Sequence, residues 1–137
     1  MTSADAVRAW SAMRSLVLDS HDRRGQVAER LGMSFIRAKA LLKLAGGPLT
    51  MRELGTALTI DAPYTTVVVD DLERRGLLLR SPHPEDRRVK LVTLTDAGRE
   101  SACAAEQILN EPPPALRNLP AADLAALNRI LDALGES

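Results

Sequence analysis

Between Leu77 and Thr95 the chain reads LLLRSPHPEDRRVKLVTLT, two short apolar runs joined by a turn that carries Asp86, Arg87 and Arg88 at its tip. A β-hairpin hides one apolar face and solvates its turn. Here the solvated end also concentrates cations, which suits a finger laid on a polyanionic backbone. The residues upstream narrow the choice. From Thr50 to Gly76 the pattern predicts a short helix over Met51 to Leu58, a turn around Thr59 to Ala62, and a second helix ending in Glu73, Arg74, Arg75 and Gly76. Helix, turn, helix and charged hairpin in that order predict a winged helix-turn-helix.

Local signals place the remaining elements. Val7, Trp10, Met13, Leu16 and Val17 recur at helical spacing from Asp5 to about Ser20. A polar segment with Gly25 follows, and Val27 to Leu31 suit another helical turn. Ser34 is a candidate N-cap for a helix that runs to about Ala45, with Phe35, Ala38, Leu41 and Leu42 on one face, and Gly46, Gly47 and Pro48 stop it. Thr50 and Glu53 have capping-box spacing. Asp61 can cap the next helix and Pro63 is tolerated in its first turn, where no amide donor is needed. Thr65, Val68, Val69 and Leu72 form that helix's buried stripe, leaving Ala62, Pro63, Thr66 and Val67 outside. Thr95 caps a helix from about Asp96 to Asn110, which Pro112 to Pro114 terminate, and a last helix from near Pro120 carries Leu124, Leu127, Ile130, Leu131 and Leu134. The expected fold is mainly α, with a two-stranded β wing. One domain fills 1–137, with a winged head over about 34–98. The terminal helices, about 3–24 and 96–135, are apolar on one side yet flank the head, so they are expected to pair with a second copy as a dimerisation region.

With 137 residues, the chain is short for an enzyme with its own substrate domain. Eighteen basic residues balance eighteen acidic ones, so distribution says more than the sum. Arg74 to Lys90 holds six basic residues against two acidic, whereas Glu100 to the end holds two basic against six acidic. Such a bipolar chain points one end at a polyanion and keeps the other away. The single Cys103 excludes an internal disulfide framework. It also lacks an adjacent cation to stabilise a thiolate, so packing is its expected role. His21, His83 and Cys103 lack metal-site spacing, and neither a Ser/His/Asp signature nor a Gly-rich phosphate loop appears. Neither catalysis nor a metal or cofactor is expected. The N-terminal MTSADAVRAW has no basic segment followed by an apolar one, and no apolar run approaches the roughly 20 residues that span a bilayer. A cytoplasmic protein without membrane contact is expected.

PLTMRELG (Pro48 to Gly55), VVDDLERRGLL (Val68 to Leu78) and DRRVKLVTLTDAG (Asp86 to Gly98) together resemble the MarR family of bacterial transcription regulators. The resemblance covers roughly Ser34 to Gly98, and the last segment is its most specific part. It implies an obligate, triangular homodimer with intertwined terminal helices and two winged heads that read a near-palindromic operator on double-stranded DNA. Members are often repressors, and many bind a small acidic or aromatic ligand between the dimer helices and the heads, which releases DNA. The rival reading is a winged-helix protein-association module without nucleic-acid binding. Arg87 and Arg88 speak against it, because protein interfaces are depleted of uncompensated charge at their core.

The resemblance also assigns roles. Arg88, second after the wing aspartate, would enter the minor groove, with Asp86 holding its guanidinium by a charge-assisted hydrogen bond. Arg87 would neutralise phosphate. Arg80 and Lys90 either do the same or only solvate the outer strand face, and Arg52 is either a phosphate contact or part of a solvated face. Ala62, Pro63, Tyr64 and Thr66 sit where the major groove meets the helix N-terminus. Ala62 and the Thr66 methyl can contact thymine methyls, the Thr66 hydroxyl can bond a base edge or phosphate, and Tyr64 either touches phosphate or packs against the wing base. Relatives commonly carry an arginine near the positions of Ala62, Val67 or Asp71, and this chain does not. More of the specificity therefore falls to the wing and to DNA shape. Asp70, Asp71 and Glu73 are expected along the helix flank, paired with Arg74 and Arg75 or with a neighbouring helix. Trp10, Arg14, His21, Met33 and Phe35 are candidates for lining the effector cavity, against a plainer role in packing or solvation.

Overall fold

The computed structural model describes residues 3–135. Helix α1 (Ala4–Arg14) starts at Ser3, whose Oγ accepts from the Ala6 amide, and runs on through a π-helical segment, Ser15–Ser20. Then come α2 (Arg24–Leu31), α3 (Phe35–Leu44), β1 (Leu49–Thr50), α4 (Met51–Leu58), α5 (Ala62–Arg74), β2 (Leu78–Pro82), β3 (Lys90–Leu94), α6 (Asp96–Leu109), a single turn α7 (Pro114–Arg117) and α8 (Ala121–Gly135).

The caps follow side-chain chemistry. Thr50 and Glu53 form a reciprocal box, with N–H···O distances of 2.9 and 3.1 Å. This gives two otherwise orphaned amides an acceptor, and the interaction holds the Glu53 carboxyl below its usual range. Asp61 accepts from the Tyr64 amide at 2.8 Å, and Thr95 accepts from the Gly98 amide at 3.1 Å. Ser34 occupies its cap position with extended backbone but makes no side-chain cap. Its hydroxyl instead accepts from the Arg37 guanidinium at 2.8 Å.

The sheet is three-stranded and antiparallel, in the order β1-β3-β2. The wing is its β2–β3 hairpin, in register from Leu78↔Leu94 to Pro82↔Lys90. β1 adds a strand to the expected pair, through Leu49↔Val92 and Thr50↔Leu91. A two-residue strand has no periodicity to read, and only tertiary pairing defines it.

One core unites the head. Leu41, Leu54, Val68, Val69, Leu72, Leu78 and Val92 are all fully buried in it. The expected stripe of α5 is the observed one: Thr65, Val68, Val69 and Leu72 are buried. A smaller cluster of Val27, Ala38 and Ala105 ties α2 and α6 to α3. Neither α1 nor α8 buries a residue, and Val7, Trp10, Leu16, Val17, Ile130, Leu131 and Leu134 stand exposed along the terminal helices.

Two glycines seat the two prominent elements of the head. A Cβ on Gly55 of α4 would lie 2.7 Å from the Thr65 Oγ1 of α5, so the absence of a side chain sets how closely these helices cross. A Cβ on Gly98 would lie within 1.9 Å of the Leu77 carbonyl oxygen at the foot of the wing. Thr95 completes that joint: its hydroxyl donates to the Gly76 carbonyl at 2.7 Å and its amide to the Leu77 carbonyl at 3.1 Å.

Candidate nucleic-acid interface

At the wing tip the backbone folds back on itself. The His83 amide donates to the Val89 carbonyl at 2.8 Å, and the Val89 amide to the Asp86 carbonyl at 3.0 Å. Within this turn Asp86 Oδ1 accepts from the Arg88 backbone amide at 3.1 Å and from its Nε at 3.2 Å. The Arg88 Nη2 also donates to Asp86 Oδ2 at 3.5 Å, yet the Arg88 side chain is 91% exposed, so the carboxylate orients the guanidinium and leaves most of it open to solvent. The Arg88 guanidinium and amide beside Asp86 hold its carboxyl below the usual aspartate value. Arg87 and Lys90 are exposed along the same finger.

The first two turns of α5 have a different character. Ala62, Pro63, Tyr64, Thr66 and Val67 are exposed, and the Thr66 hydroxyl donates to the Ala62 carbonyl at 3.2 Å. Thr65 points inward and donates to the Asp61 carbonyl at 2.8 Å. Arg52, in the first turn of α4, is exposed. A cavity lined by Met51, Arg52, Thr56, Ile60 and Ala62 joins the starts of the two helices.

Behind this face the charges are engaged with one another. Arg80 on β2 reaches Asp70 Oδ1 at 2.7 Å and Glu73 Oε1 at 2.8 Å, and its backbone amide donates to Glu73 Oε2 at 3.1 Å. Arg80 holds the Glu73 carboxyl below its usual range. Asp71 collects Arg37 at 2.8 Å, Arg75 at 2.9 Å and Arg74 at 3.4 Å. Burial pushes the Asp71 carboxyl up, but the hydrogen bonds from Arg75 and Arg37 outweigh it and the net shift is downward. Arg75 also donates to the Gly32 carbonyl at 3.2 Å, tying α5 to the end of α2. The flank pairing expected for Asp71 is present, with Arg37 of α3 as an added partner. Asp70 and Glu73 pair with Arg80 rather than with Arg74 and Arg75. To the two readings of Arg80, solvated strand cation or phosphate contact, the structure adds a third role, a clamp from the wing onto α5. Alternation along β2 marks Arg80 as off the apolar face, but no spacing rule names its partners on the preceding helix.

A cleft of about 560 Å³ opens between the π-helical segment and the chain from α6 to α8, floored by Leu16, Val17, Leu109, Leu116, Leu119 and Leu127. Its rim holds His21, Asp22, Arg23, Arg24 and Glu111. Arg23 straps it by donating to the Glu111 carbonyl at 3.0 Å. The Arg24 guanidinium, helped by its amide, holds the Asp22 carboxyl down to about 2. Of the residues considered for an effector cavity, only His21 lines this cleft. Trp10 is 65% exposed on α1, Arg14 is exposed at its end, and Met33 and Phe35 are half-buried by the start of α3. Cys103 is exposed on α6, rather than packed as its sequence context suggested. Among the described residues, no cluster of three or more His, Cys, Asp or Glu could hold a metal ion, and no helix is long and apolar enough to cross a membrane.

A helix seated by α3 and α4, flanked by a cation-tipped hairpin and clamped to it by Arg80, defines a winged helix-turn-helix protein. Residues 45–90 match the family model described as MarR family. The chain is 39% identical over 54 residues to YkoM, an uncharacterized HTH-type transcriptional regulator of Bacillus subtilis, a stretch that spans 39% of this chain and 35% of that protein. Across the curated relatives the match spans between 32% and 45% of their length. Among solved structures, RV1404 from Mycobacterium tuberculosis superposes with a TM-score of 0.79 at 25% identity, over 99% of this chain and 94% of that one. A mutant MarR from E. coli complexed with operator DNA superposes with a TM-score of 0.61 at 24% identity, over 88% and 91%. The match to that family model covers residues 45–90, and the likeness to RV1404 extends the winged-helix fold over nearly the whole chain.

Proposed function

We propose that this protein is a sequence-specific, dimeric DNA-binding transcription regulator. The observation that carries the reading is Arg88, almost wholly exposed at the wing tip yet oriented by hydrogen bonds to Asp86, beside an exposed helix start. A guanidinium oriented by one carboxylate and open to solvent suits the minor groove, where narrow A·T-rich stretches attract such a group. Arg87 and Arg52 would meet phosphates on either side, while Ala62, Pro63, Tyr64 and Thr66 face the major groove. The head over about 34–98 does the reading. The unburied apolar faces of the terminal helices, about 3–24 and 96–135, support a homodimer, and a two-fold dimer reads a near-palindrome. Seated on a promoter it excludes other proteins, so repression is the regulatory sign we propose. A small acidic or aromatic molecule held in the His21 cleft would alter head spacing and release DNA. The target places the protein in the cytoplasm.

Selection of bound duplexes from a randomised DNA library tests this without assuming a target. The expected result is a near-palindrome with half-sites about one helical turn apart, bound less tightly as salt rises because phosphate neutralisation releases counterions. No enrichment at low salt from a folded dimer would overturn the proposal.

A further inference from the structure

The outward face of α5 lacks the side chains that ordinarily read a purine by paired hydrogen bonds. Guanine is read by Arg or Lys and adenine by Asn or Gln, each through paired hydrogen bonds in the major groove. Before Arg74 at its far end, α5 contains no Arg, Lys, Asn or Gln. Apart from the Tyr64 hydroxyl, the polar side chains it does carry are already engaged within the protein. Asp61 is spent on the Tyr64 amide, Thr65 is buried on the Asp61 carbonyl, and the Thr66 hydroxyl proton goes to the Ala62 carbonyl. Asp70 and Asp71 are held by Arg80 and by Arg37 with Arg75. What remains for contact is hydrocarbon: the Ala62 methyl, the Pro63 ring, the Tyr64 ring at 41% exposure and the Val67 isopropyl group at 52%. Arg52 and the wing cations flank this neutral strip, so the surface as a whole complements a polyanion while its centre is apolar.

We propose that α5 reads the C5 methyl groups of pyrimidines in the major groove, and not the donor and acceptor pattern of the base pairs. This deepens the DNA-binding reading and rests on it. The C5 methyl is the one apolar feature that groove presents. Burying it against Val67 and Ala62 gains the hydrophobic term and asks no polar group of the helix to give up a partner. In unmodified DNA the methyl marks thymine, whereas in modified DNA 5-methylcytosine carries the same group. The half-sites are therefore expected to place thymines where α5 lies.

The test uses the full-length dimer and a duplex selected from the randomised library. At each half-site position a T·A pair is replaced in turn by U·A, by C·G and by 5-methylcytosine·G, and Kd is measured for each. This separates the methyl from the pairing pattern. At one or more positions per half-site, T·A and 5-methylcytosine·G should bind alike. There U·A and C·G should both be weaker, by about fourfold per methyl lost. The Val67→Ala protein should lose much of that difference at one position, since Val67 is exposed and its truncation leaves the core intact. Thymines under the wing should tolerate uracil, because the methyl does not face the minor groove. If U·A matches T·A throughout while C·G is weak, the helix reads hydrogen-bonding pattern and the inference is wrong. If no duplex is selected at all, the DNA-binding reading falls and takes this inference with it.

Discussion

The recognition helix and the wing sit side by side on one core, yet their surfaces are opposites. The wing tip ends in an exposed guanidinium oriented by one carboxylate. The helix start is neutral and apolar, and the charges on its last two turns are turned inward onto Arg37, Arg75 and Arg80. A cation free in solvent contributes attraction and register on any phosphate backbone, whereas an apolar strip contributes nothing until it meets a matching groove. On the proposed reading the wing supplies attraction, register and a reading of groove shape, and the helix start adds discrimination through apolar contact.

Gly98 and Gly55 provide the strongest ways to break that division, because each seats one of the two elements. Replacing Gly98 by Ala gains about 1 kcal/mol of helix propensity but drives a methyl into the Leu77 backbone carbonyl, which has no rotamer to escape through. The overpacking cost, about 3 kcal/mol or more, exceeds the gain. Thermal unfolding should therefore fall by roughly 5–15 °C. Gly55→Ala meets a side-chain hydroxyl, so its net cost should be about 1 kcal/mol. An unchanged melting temperature for Gly98→Ala would mean that the wing's foot is more pliant than its packing indicates.

Arg88→Ala comes next in size. It should weaken specific binding by about 1 to 3 kcal/mol and leave unfolding unaltered, because the removed side chain is 91% exposed. Fluorescence anisotropy on the selected duplex, beside a thermal melt, would separate the two effects. Binding as tight as wild type would put the wing outside the interface.

Much of the head was legible in the sequence, because its signals are local. Thr50 with Glu53, Asp61 and Thr95 each announce a helix start within four residues, and the α5 stripe repeats at helical period. Features that depend on distant partners were not legible. β1 exists only because Val92 and Leu91 lie opposite Leu49 and Thr50. The single turn Pro114–Arg117 follows a proline run that reads only as a stop, and the π-helical widening of Ser15–Ser20 leaves no mark in the apolar spacing. In the candidate interface the sequence marked out the exposed residues but missed the partners of Arg80, since a cation on an outer strand face looks alike whether solvated, bound to phosphate or clamped. Only the 2.7 and 2.8 Å distances to Asp70 and Glu73 reveal the clamp.

That clamp sharpens the comparison, because it is where the two regions touch. If Arg80 acts by aiming the wing, Arg80→Gln should weaken operator binding by about 1 kcal/mol while the slope of log Kd against log salt stays as in wild type. Combined with Arg88→Ala it should cost little beyond Arg88→Ala alone, since a misaimed wing without its arm has nothing left to lose. A slope reduced by about one and additive losses would instead make Arg80 a phosphate contact.

The smallest expected effect concerns Asp86, where two consequences of one charge oppose each other. Its carboxylate braces Arg88 but also repels phosphate, so Asp86→Asn should loosen the arm while making the finger more cationic. Specific binding should then weaken by about twofold to threefold and binding to unrelated duplex should strengthen slightly, so their ratio falls. The pH dependence has a definite sign. The folded-state pKa of Asp86 lies below its ordinary 3.8, so the brace is fully present above that value and is lost as pH falls through the lower one. In the free protein the Arg88 amide resonance should therefore titrate with a midpoint below 3.8, and that titration should vanish in Asp86→Asn. A midpoint at the ordinary value, with an unchanged specificity ratio, would show the Arg88 arm to be aimed by the turn backbone alone and the ion pair to be incidental.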